Sequence, residues 1–240
     1  MSKLAHDNDA SLADFMAGWK RHHQYSLMPE GFAVIALTNF GERPLPSARL
    51  AEILGRPVSE AETVARQWAW PGPQVENGLI TINPERVLLA PRRQLQIGDR
   101  RFGVTGCAPD VFLYAPLVRP SLQVEETCPA TGTPIRLLFT PSRVEHVEPA
   151  GVVVPVPSPL EVDCVEGMGT PGCKADATLC AECPFYSSAE AAQGWLAAHP
   201  GGRVFPVREA WDLSVHREWR DRMSALLNLD KTAPSAARPH

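Results

Sequence analysis

The segment from Gln94 to Val156 constrains the fold more than any other, because glycine and proline cut it into short apolar runs. Proline interrupts helices, whereas short runs rich in β-branched residues favour strands. The predicted strands are Leu95–Ile97, Arg136–Phe139, Val144–Val147 and Val152–Val156, with a turn at Thr131–Pro134. One apolar segment, Asp110–Val118, follows Pro109 and predicts a short helix. The middle of the chain is therefore predicted to be a sheet of short strands.

The N-terminal region, residues 1–90, has helical patterns instead. The predicted elements are helices at Leu12–Trp19, Leu50–Leu54 and Ser59–Trp70, followed by a hairpin of Leu79–Ile82 with Arg86–Leu89. Ser59 and Glu62 have the spacing of a capping box, and Gly55 should end the helix before it. Helix, turn, helix and hairpin in this order predict a winged-helix-like module.

The charge of this module favours a packing role over DNA binding. The whole chain has 23 Lys plus Arg against 27 Asp plus Glu, a formal net charge of −4. Between Pro29 and Ala90 the sequence contains arginine but no lysine, and glutamate outnumbers arginine. Such a surface would neutralise phosphates weakly, so we expect no nucleic-acid partner.

The C-terminal third returns to helical patterns after an irregular stretch at Pro157–Thr178. Ser187 and Glu190 have capping-box spacing and predict a helix that ends before Pro200. A short strand follows at Arg203–Val207, and then Trp211, Val215, Trp219, Met223 and Leu226 form one apolar helical stripe. No apolar run approaches the length of a membrane helix and the N-terminus is polar, so we expect a cytoplasmic protein without a membrane partner.

Cys107 and Asp110 place a thiol and a carboxylic acid three positions apart, at the start of the predicted short helix. A thiol near a helix N-terminus favours its thiolate form, and an acid one turn away can face the same small ligand. A buried cysteine beside a capping aspartate is the structural alternative. The spacing alone leaves both interpretations open.

Cys180 and Cys183 form a Cys-x-x-Cys pair. Together with Cys164 and Cys173 they suggest a structural zinc site, but the outer spacings are long and irregular, whereas zinc knuckles use two tight pairs. A thioredoxin-like role lacks the strand-then-helix context that such a pair requires. Two buried small residues are the remaining alternative.

Several motifs in order along the chain resemble the bacterial organomercurial (alkylmercury) lyases. They are Ile97–Phe102, Cys107-Ala108-Pro109-Asp110, Cys128–Pro134, Val147–Gly151 and Cys180 ahead of Phe185-Tyr186. The resemblance extends from about Pro44 to Leu227. It implies an α+β fold, in which an N-terminal winged-helix-like helical region packs on a mixed, largely antiparallel sheet core with flanking helices. The predicted domains are that region at 1–90 and a catalytic lyase domain at 91–230. The tail at 231–240 carries Pro, Ala and Ser without periodicity and is predicted to be disordered.

The resemblance implies protonolysis of a carbon–mercury bond for mercury detoxification, with Cys107 as the first thiol, Asp110 as proton donor and Cys180 as the second thiol. Cys107 and Cys180 would hold the mercury of substrate and product, and Cys128 would be structural. No resident cofactor is implied. Small thiols would be needed for turnover, and a mercuric reductase is the expected acceptor of Hg(II).

Three features depart from the family pattern. Gly106 stands where a bulky aromatic residue often precedes the first thiol, and the loop with Cys164 and Cys173 is longer than expected. Cys183 adds a thiol that either binds mercury during export or is structural. The alternative function is a thiol-based mercury or zinc binding or sensor protein without lyase activity, but such a protein would not need Asp110. A thiol oxidoreductase centred on Cys180 and Cys183 is a further alternative.

Overall fold

The computed structural model describes residues 12–19, 44–67, 74–81, 93–104, 107–117, 121–159 and 183–213, and residues 216–218, 220–221 and 225 of the last helix. Cys164, Cys173, Cys180, the predicted strand Arg86–Leu89 and the tail 231–240 lie outside these ranges. Four positions of the apolar stripe, Val215, Trp219, Met223 and Leu226, also lie outside them.

A five-stranded antiparallel sheet forms the centre of the molecule. Its strands are β4 (Arg93–Ile97), β5 (Arg100–Val104), β6 (Leu122–Thr127), β7 (Pro134–Phe139) and β8 (Val144–Glu148), in the spatial order β5-β4-β6-β7-β8. Alternate residues of β6 and β7 are buried, which is the pattern of strands with one face on a core. The strands predicted at β4, β7 and β8 are confirmed, whereas β5 and β6 were not predicted as strands.

A two-stranded sheet and four short helical segments lie against this centre. They are β9 (Val153–Val156), β10 (Arg203–Pro206), the α-helices Asp110–Tyr114, Gln193–Ala198 and Val207–Asp212, and the 3₁₀ turn Ala115–Leu117. Large apolar side chains from these elements and from β4, β6 and β7 join one buried cluster. Phe112, for example, packs on Phe139 and Trp211, with ring centroids 5.8 and 6.3 Å apart.

The N-terminal part has its own small core. Its elements are β1 (Leu45–Pro46), the helices Ser47–Leu54 and Val58–Gln67, β2 (Gln74–Glu76) and β3 (Leu79–Thr81), with strand order β1-β3-β2. Leu45, Leu50 and Ile80 are buried at its centre. Residues 12–19 are helical as predicted, but they pack on the main core, where Trp19 Nε1 donates to the carbonyl oxygen of Pro157 across 3.0 Å. The two helices and β3 correspond to predicted elements of the winged-helix-like module, whereas β1 and β2 were not predicted, and the identity of the module stays a prediction.

The hairpin observed for β3 differs from the predicted one, since β3 pairs with β2 on one side and with β1 on the other. The predicted partner strand Arg86–Leu89 lies outside the described residues. The turn between β2 and β3 is Asn77-Gly78, and both residues have positive φ, 51° and 73°. Asn-Gly is the usual sequence of such two-residue hairpin turns.

Neither of the two predicted capping boxes marks the start of its helix. The helix predicted from Ser59 begins at Val58, and Glu62 pairs with Arg66 across 3.0 Å along the helix surface. In the C-terminal part the side chain of Ser188 accepts from the backbone N–H of Ala191 across 3.2 Å, and the α-helix begins at Gln193. Ser187 is therefore available for a different contact.

The combination of helices and antiparallel sheets is the predicted α+β class. Every strand pairing among the described residues is antiparallel, in keeping with the largely antiparallel core that was expected. Each helix that the structure describes is too short or too polar to span a bilayer.

Candidate functional site

Cys107 lies between the end of β5 and the helix Asp110–Tyr114, at the start of the short helix that the sequence predicts. Its side chain is partly exposed, whereas Cys128 and Cys183 are buried. All three of these cysteines are thiols rather than disulfide partners. Among the cysteines that the structure describes, Cys107 is thus the one that a small ligand can reach most directly.

The peptide group that follows Cys107 is held at both of its polar ends. Its N–H, which belongs to Ala108, donates to the carbonyl oxygen of Cys183 across 2.7 Å. Its carbonyl oxygen, which belongs to Cys107, accepts from Arg93 Nη1 at 2.9 Å. These two bonds join the Cys107 backbone to the start of β4 and to the segment that begins at Cys183.

Arg93 is itself fixed by a buried ion pair. Its Nε lies 2.8 Å from Oε2 of Glu126, and the two side chains are 2% and 0% exposed. The residues face each other in the register of β4 and β6. The guanidinium also lies over the ring of Phe185, 5.1 Å from its centroid. Arg93 therefore binds the Cys107 carbonyl while Glu126 and Phe185 hold its guanidinium in place.

Asp110 is the first residue of its helix, one turn along the chain from Cys107. The turn is closed by backbone bonds from Val111 to Ala108 at 3.2 Å and from Phe112 to Pro109 at 3.0 Å. Phe112 is fully buried and anchors the helix in the core. The predicted helix is confirmed, although its last turn, Ala115–Leu117, is a 3₁₀ helix.

Cys180 lies outside the described residues, and so do Cys164 and Cys173. Cys183 follows Cys180 after two residues and is fully buried in the main core. Within the described ranges, no three His, Cys, Asp or Glu side chains come together as a metal site. The burial of Cys183 supports a packing role for its thiol.

Cys128 sits at the turn between β6 and β7 and contacts the segment after Cys183. Ser187 Oγ donates to its sulfur across 3.4 Å, and Thr131 Oγ1 lies 3.1 Å from the same hydroxyl. Burial raises the pKa of the thiol, but hydrogen bonds from the Ser187 and Thr131 side chains and from the backbone of Ser187 and Ala130 outweigh this effect. They lower the pKa of Cys128 from 9.0 to about 7.

Arg93 and Glu126 were missed by the sequence analysis. A charged residue at either end of a short strand run is common on surfaces, and nothing local indicates that these two are buried. The ion pair joins positions 33 residues apart, so it can be predicted only once the pairing of β4 with β6 is known. Ser187 was identified, but as a helix cap.

Comparison with known proteins identifies a family. The model of the alkylmercury lyase family, MerB, matches residues 93–219, which is more than half of the chain. An alkylmercury lyase of Bacillus cereus is 27% identical over 164 residues, or 68% of this chain and 69% of the relative. One of Pseudomonas putida is 28% identical over 200 residues, or 77% and 83%. The matched family region contains Arg93, Cys107, Asp110, Cys128, Cys180 and Cys183.

A shorter match is closer in sequence, and a solved structure supports the fold. An alkylmercury lyase of Streptomyces lividans is 34% identical over 109 residues, which is 45% of this chain and 46% of the relative. The crystal structure of the mercury-bound form of MerB2 has a TM-score of 0.53 at 15% identity, over 87% of this chain and 99% of that one. At this identity the likeness concerns the fold alone.

Proposed function

Because this chain belongs to the alkylmercury lyase family, we propose that Cys107, Asp110 and Cys180 together cleave the carbon–mercury bond of its substrate. The protein is an organomercurial lyase, which converts an organomercurial into a hydrocarbon and Hg(II). Mercury detoxification follows from this reaction. In this proposal Cys107 and Cys180 hold the mercury and Asp110 supplies the proton.

The observation that carries the assignment is the 2.7 Å hydrogen bond from Ala108 to Cys183. Two residues separate Cys183 from Cys180, and an extended chain spans at most about 3.6 Å per residue. The bond therefore limits how far the backbone of Cys180 can lie from that of Cys107. A second thiol within this reach supports a two-thiol mercury site.

Mercury is a soft ion, and soft metals prefer thiolates to carboxylates or imidazoles. In the first step the sulfur of Cys107 binds RHg⁺ in place of the small thiolate that delivered it, and that leaving thiolate takes the proton of Cys107. Cys180 then adds its sulfur to the same mercury and releases its own proton. The second thiolate increases the electron density on mercury and on the attached carbon, which weakens the bond between them.

The proton released from Cys180 goes to the carboxylate of Asp110. Metal binding to a thiol releases a proton, and a carboxylate one turn along the chain from the Cys107 that holds the mercury can receive it. Asp110 then donates this proton to the carbon, the electron pair of the carbon–mercury bond becomes that of the new C–H bond, and R–H leaves. Hg(II) remains on the sulfurs of Cys107 and Cys180, and the carboxylate of Asp110 is restored.

Turnover requires that Hg(II) leave the two cysteines. Small thiols remove Hg(II) from the two cysteines, because a bis-thiolate exchanges its ligands with other thiols, and a mercuric reductase is the proposed acceptor. The reaction needs no resident cofactor, since the substrate brings the metal and the residues supply thiols and acid. We place the protein in the cytoplasm, where thiols stay reduced.

The direct test incubates the protein with phenylmercury and excess small thiol and measures benzene by gas chromatography. The wild type should release benzene over many turnovers, and Cys107→Ser should release none, because a hydroxyl is too hard and too weakly acidic to hold mercury. Cys183→Ala is the matched control for loss of a thiol. Mercury binding without benzene from the wild type would instead support the binding or sensor function.

A further inference from the structure

We propose that Arg93, held in place by Glu126, is a positioning residue for Cys107. It fixes the peptide group between Cys107 and Ala108 and so fixes the backbone from which the reactive thiol projects. This inference rests on the proposed role of Cys107 and deepens it. In this proposal Glu126 acts through Arg93, and Arg93 acts through the backbone of Cys107.

The geometry gives Arg93 two partners at once. Nε donates to Glu126 Oε2 at 2.8 Å, and Nη1 donates to the Cys107 carbonyl at 2.9 Å. A guanidinium can serve both because its donors form a rigid, planar fork. The carboxylate sets the plane of the fork, and the fork sets the position of the carbonyl.

A second hydrogen bond, from the N–H of the same peptide group, restrains the orientation of that group as well as its position. Ala108 N–H points to the Cys183 carbonyl, on the opposite end of the peptide unit from Arg93. The peptide group is therefore held from β4 on one side and from the Cys183 segment on the other. Phe185, two residues beyond Cys183, packs on the same guanidinium and joins the two restraints.

A purely stabilising role explains this arrangement poorly. Replacing a buried ion pair by apolar residues of similar size is often neutral or favourable for stability. Glu126 also leaves Oε1 buried without a hydrogen-bond partner in the described part of the chain, which adds a desolvation cost. What an apolar pair could not supply is a donor for the Cys107 carbonyl.

The first test replaces both charges together, as Arg93→Met/Glu126→Leu, so that no unpaired buried charge remains. Amide hydrogen exchange of Ala108 and the steady-state constants with phenylmercury are measured, with thermal melts to confirm folding. The matched control is Arg101→Gln/Glu125→Gln, which removes an exposed ion pair of the same sheet. Arg93→Lys provides a second variant, which keeps a cation beside Glu126 but loses the planar fork.

We expect exchange of the Ala108 amide to accelerate at least about tenfold in the double variant. We expect kcat to fall by about ten- to a hundredfold, with KM nearly unchanged, because small displacements of a reacting group cost rates of this order. Arg93→Lys should change both quantities in the same direction but less, and the control should change neither.

A folded double variant with wild-type amide exchange, or with faster exchange but wild-type kcat, would overturn the proposal. If the double variant does not fold, wild-type values in Arg93→Lys would overturn it instead. The two readouts separate this inference from the proposed function. A wild-type protein that releases no benzene refutes the lyase roles, while amide exchange still decides whether Arg93 holds the Cys107 peptide group.

Discussion

Ser187 donates its hydroxyl to the sulfur of Cys128 across 3.4 Å, which joins the β6–β7 turn to the segment that follows Cys183. Cys128 is buried, so this contact supports the structural role expected for it rather than mercury binding. In the same segment the carbonyl oxygen of Cys183 accepts from the N–H of the peptide group that follows Cys107. The Ser187–Cys128 contact therefore helps to hold the backbone around the candidate site.

Ser187→Ala should destabilise the protein by about 1 kcal/mol, the usual net value of one hydrogen bond, and leave kcat nearly unchanged. It should also change the pH dependence of stability. The folded pKa of Cys128, about 7, lies below its ordinary value of 9.0, so the wild type should gain stability as pH rises from 7 to 9. Urea unfolding at several pH values should show a smaller gain in Ser187→Ala. An equal gain in both proteins would contradict this role.

His216 should make the protein sensitive to acid. Its Nδ1 donates to the Ala210 carbonyl at 2.6 Å, and burial lowers its pKa from 6.5 to about 4. Between pH 6.5 and 4 the histidine is therefore protonated in the unfolded state but neutral in the folded state. The free energy of unfolding falls as pH falls through this window. At about 1.4 kcal/mol per pKa unit the loss is about 3 kcal/mol.

His216→Gln keeps an N–H donor near Ala210 but cannot titrate in this range. Its free energy of unfolding should therefore depend less steeply on pH between 4 and 6.5 than that of the wild type, as measured by chemical denaturation. Identical pH profiles for the two proteins would show that another group causes the acid sensitivity.

Cys180→Ser should retain at most a trace of lyase activity. Cys107 can still bind RHg⁺ in this variant, but one thiolate cannot activate the carbon. Cys183→Ala is the control, because its thiol is buried in the core and its loss should affect stability more than turnover. Equal benzene release by wild type and Cys180→Ser would refute the two-thiol scheme.

Replacement of Cys164 and Cys173 together should leave lyase activity within about tenfold, a barrier change near 1.4 kcal/mol. These residues have no assigned part in the proposed reaction. Elemental analysis of the wild type and of the double variant tests the zinc alternative in parallel. Unfolding of the variant, or loss of bound zinc from it, would favour a structural metal site.

The sequence predicts most of the sheet because its local signals are strong. β8 and β9 contain valine pairs and β7 is an apolar run that follows a Gly- and Pro-containing turn, and these were identified. β6 was missed because its buried Glu126 looks like a surface residue until Arg93 is found opposite it. The Asn77-Gly78 hairpin turn shows a different error, since its signal was local and was overlooked.

The candidate site likewise combines features that local sequence predicts with contacts that it does not. The position of Cys107 and Asp110 at the start of a short helix follows from Pro109 and the apolar residues after it, and the structure confirms that helix, whereas the strand before it was not predicted. The hydrogen bond between Ala108 and Cys183 joins residues 75 positions apart, as their numbering shows, and no local pattern encodes it. The capping box predicted at Ser187 does not form either: Ser188 accepts from Ala191 in the turn before the helix, and the helix itself has no side-chain cap.

In the proposed reaction Asp110 delivers the proton to carbon while Cys107 holds the mercury. Asp110→Asn keeps both thiols and should still bind phenylmercury, but cleavage should fall by at least the ~10²–10⁴ that general-acid catalysis supplies. Asp110→Ser can form hydrogen bonds but offers no acidic proton near neutral pH, so it should behave in the same way.

The most direct measurement is mass spectrometry of the intact Asp110 variants after brief exposure to phenylmercury, with benzene measured in the same samples. We predict a stable protein adduct that retains both mercury and the phenyl group, with little benzene. In the wild type the adduct should lose its phenyl group and retain Hg(II) until small thiol is added. Rapid benzene release from Asp110→Asn or Asp110→Ser would contradict the claim, because the proton would then come from solvent or from a thiol.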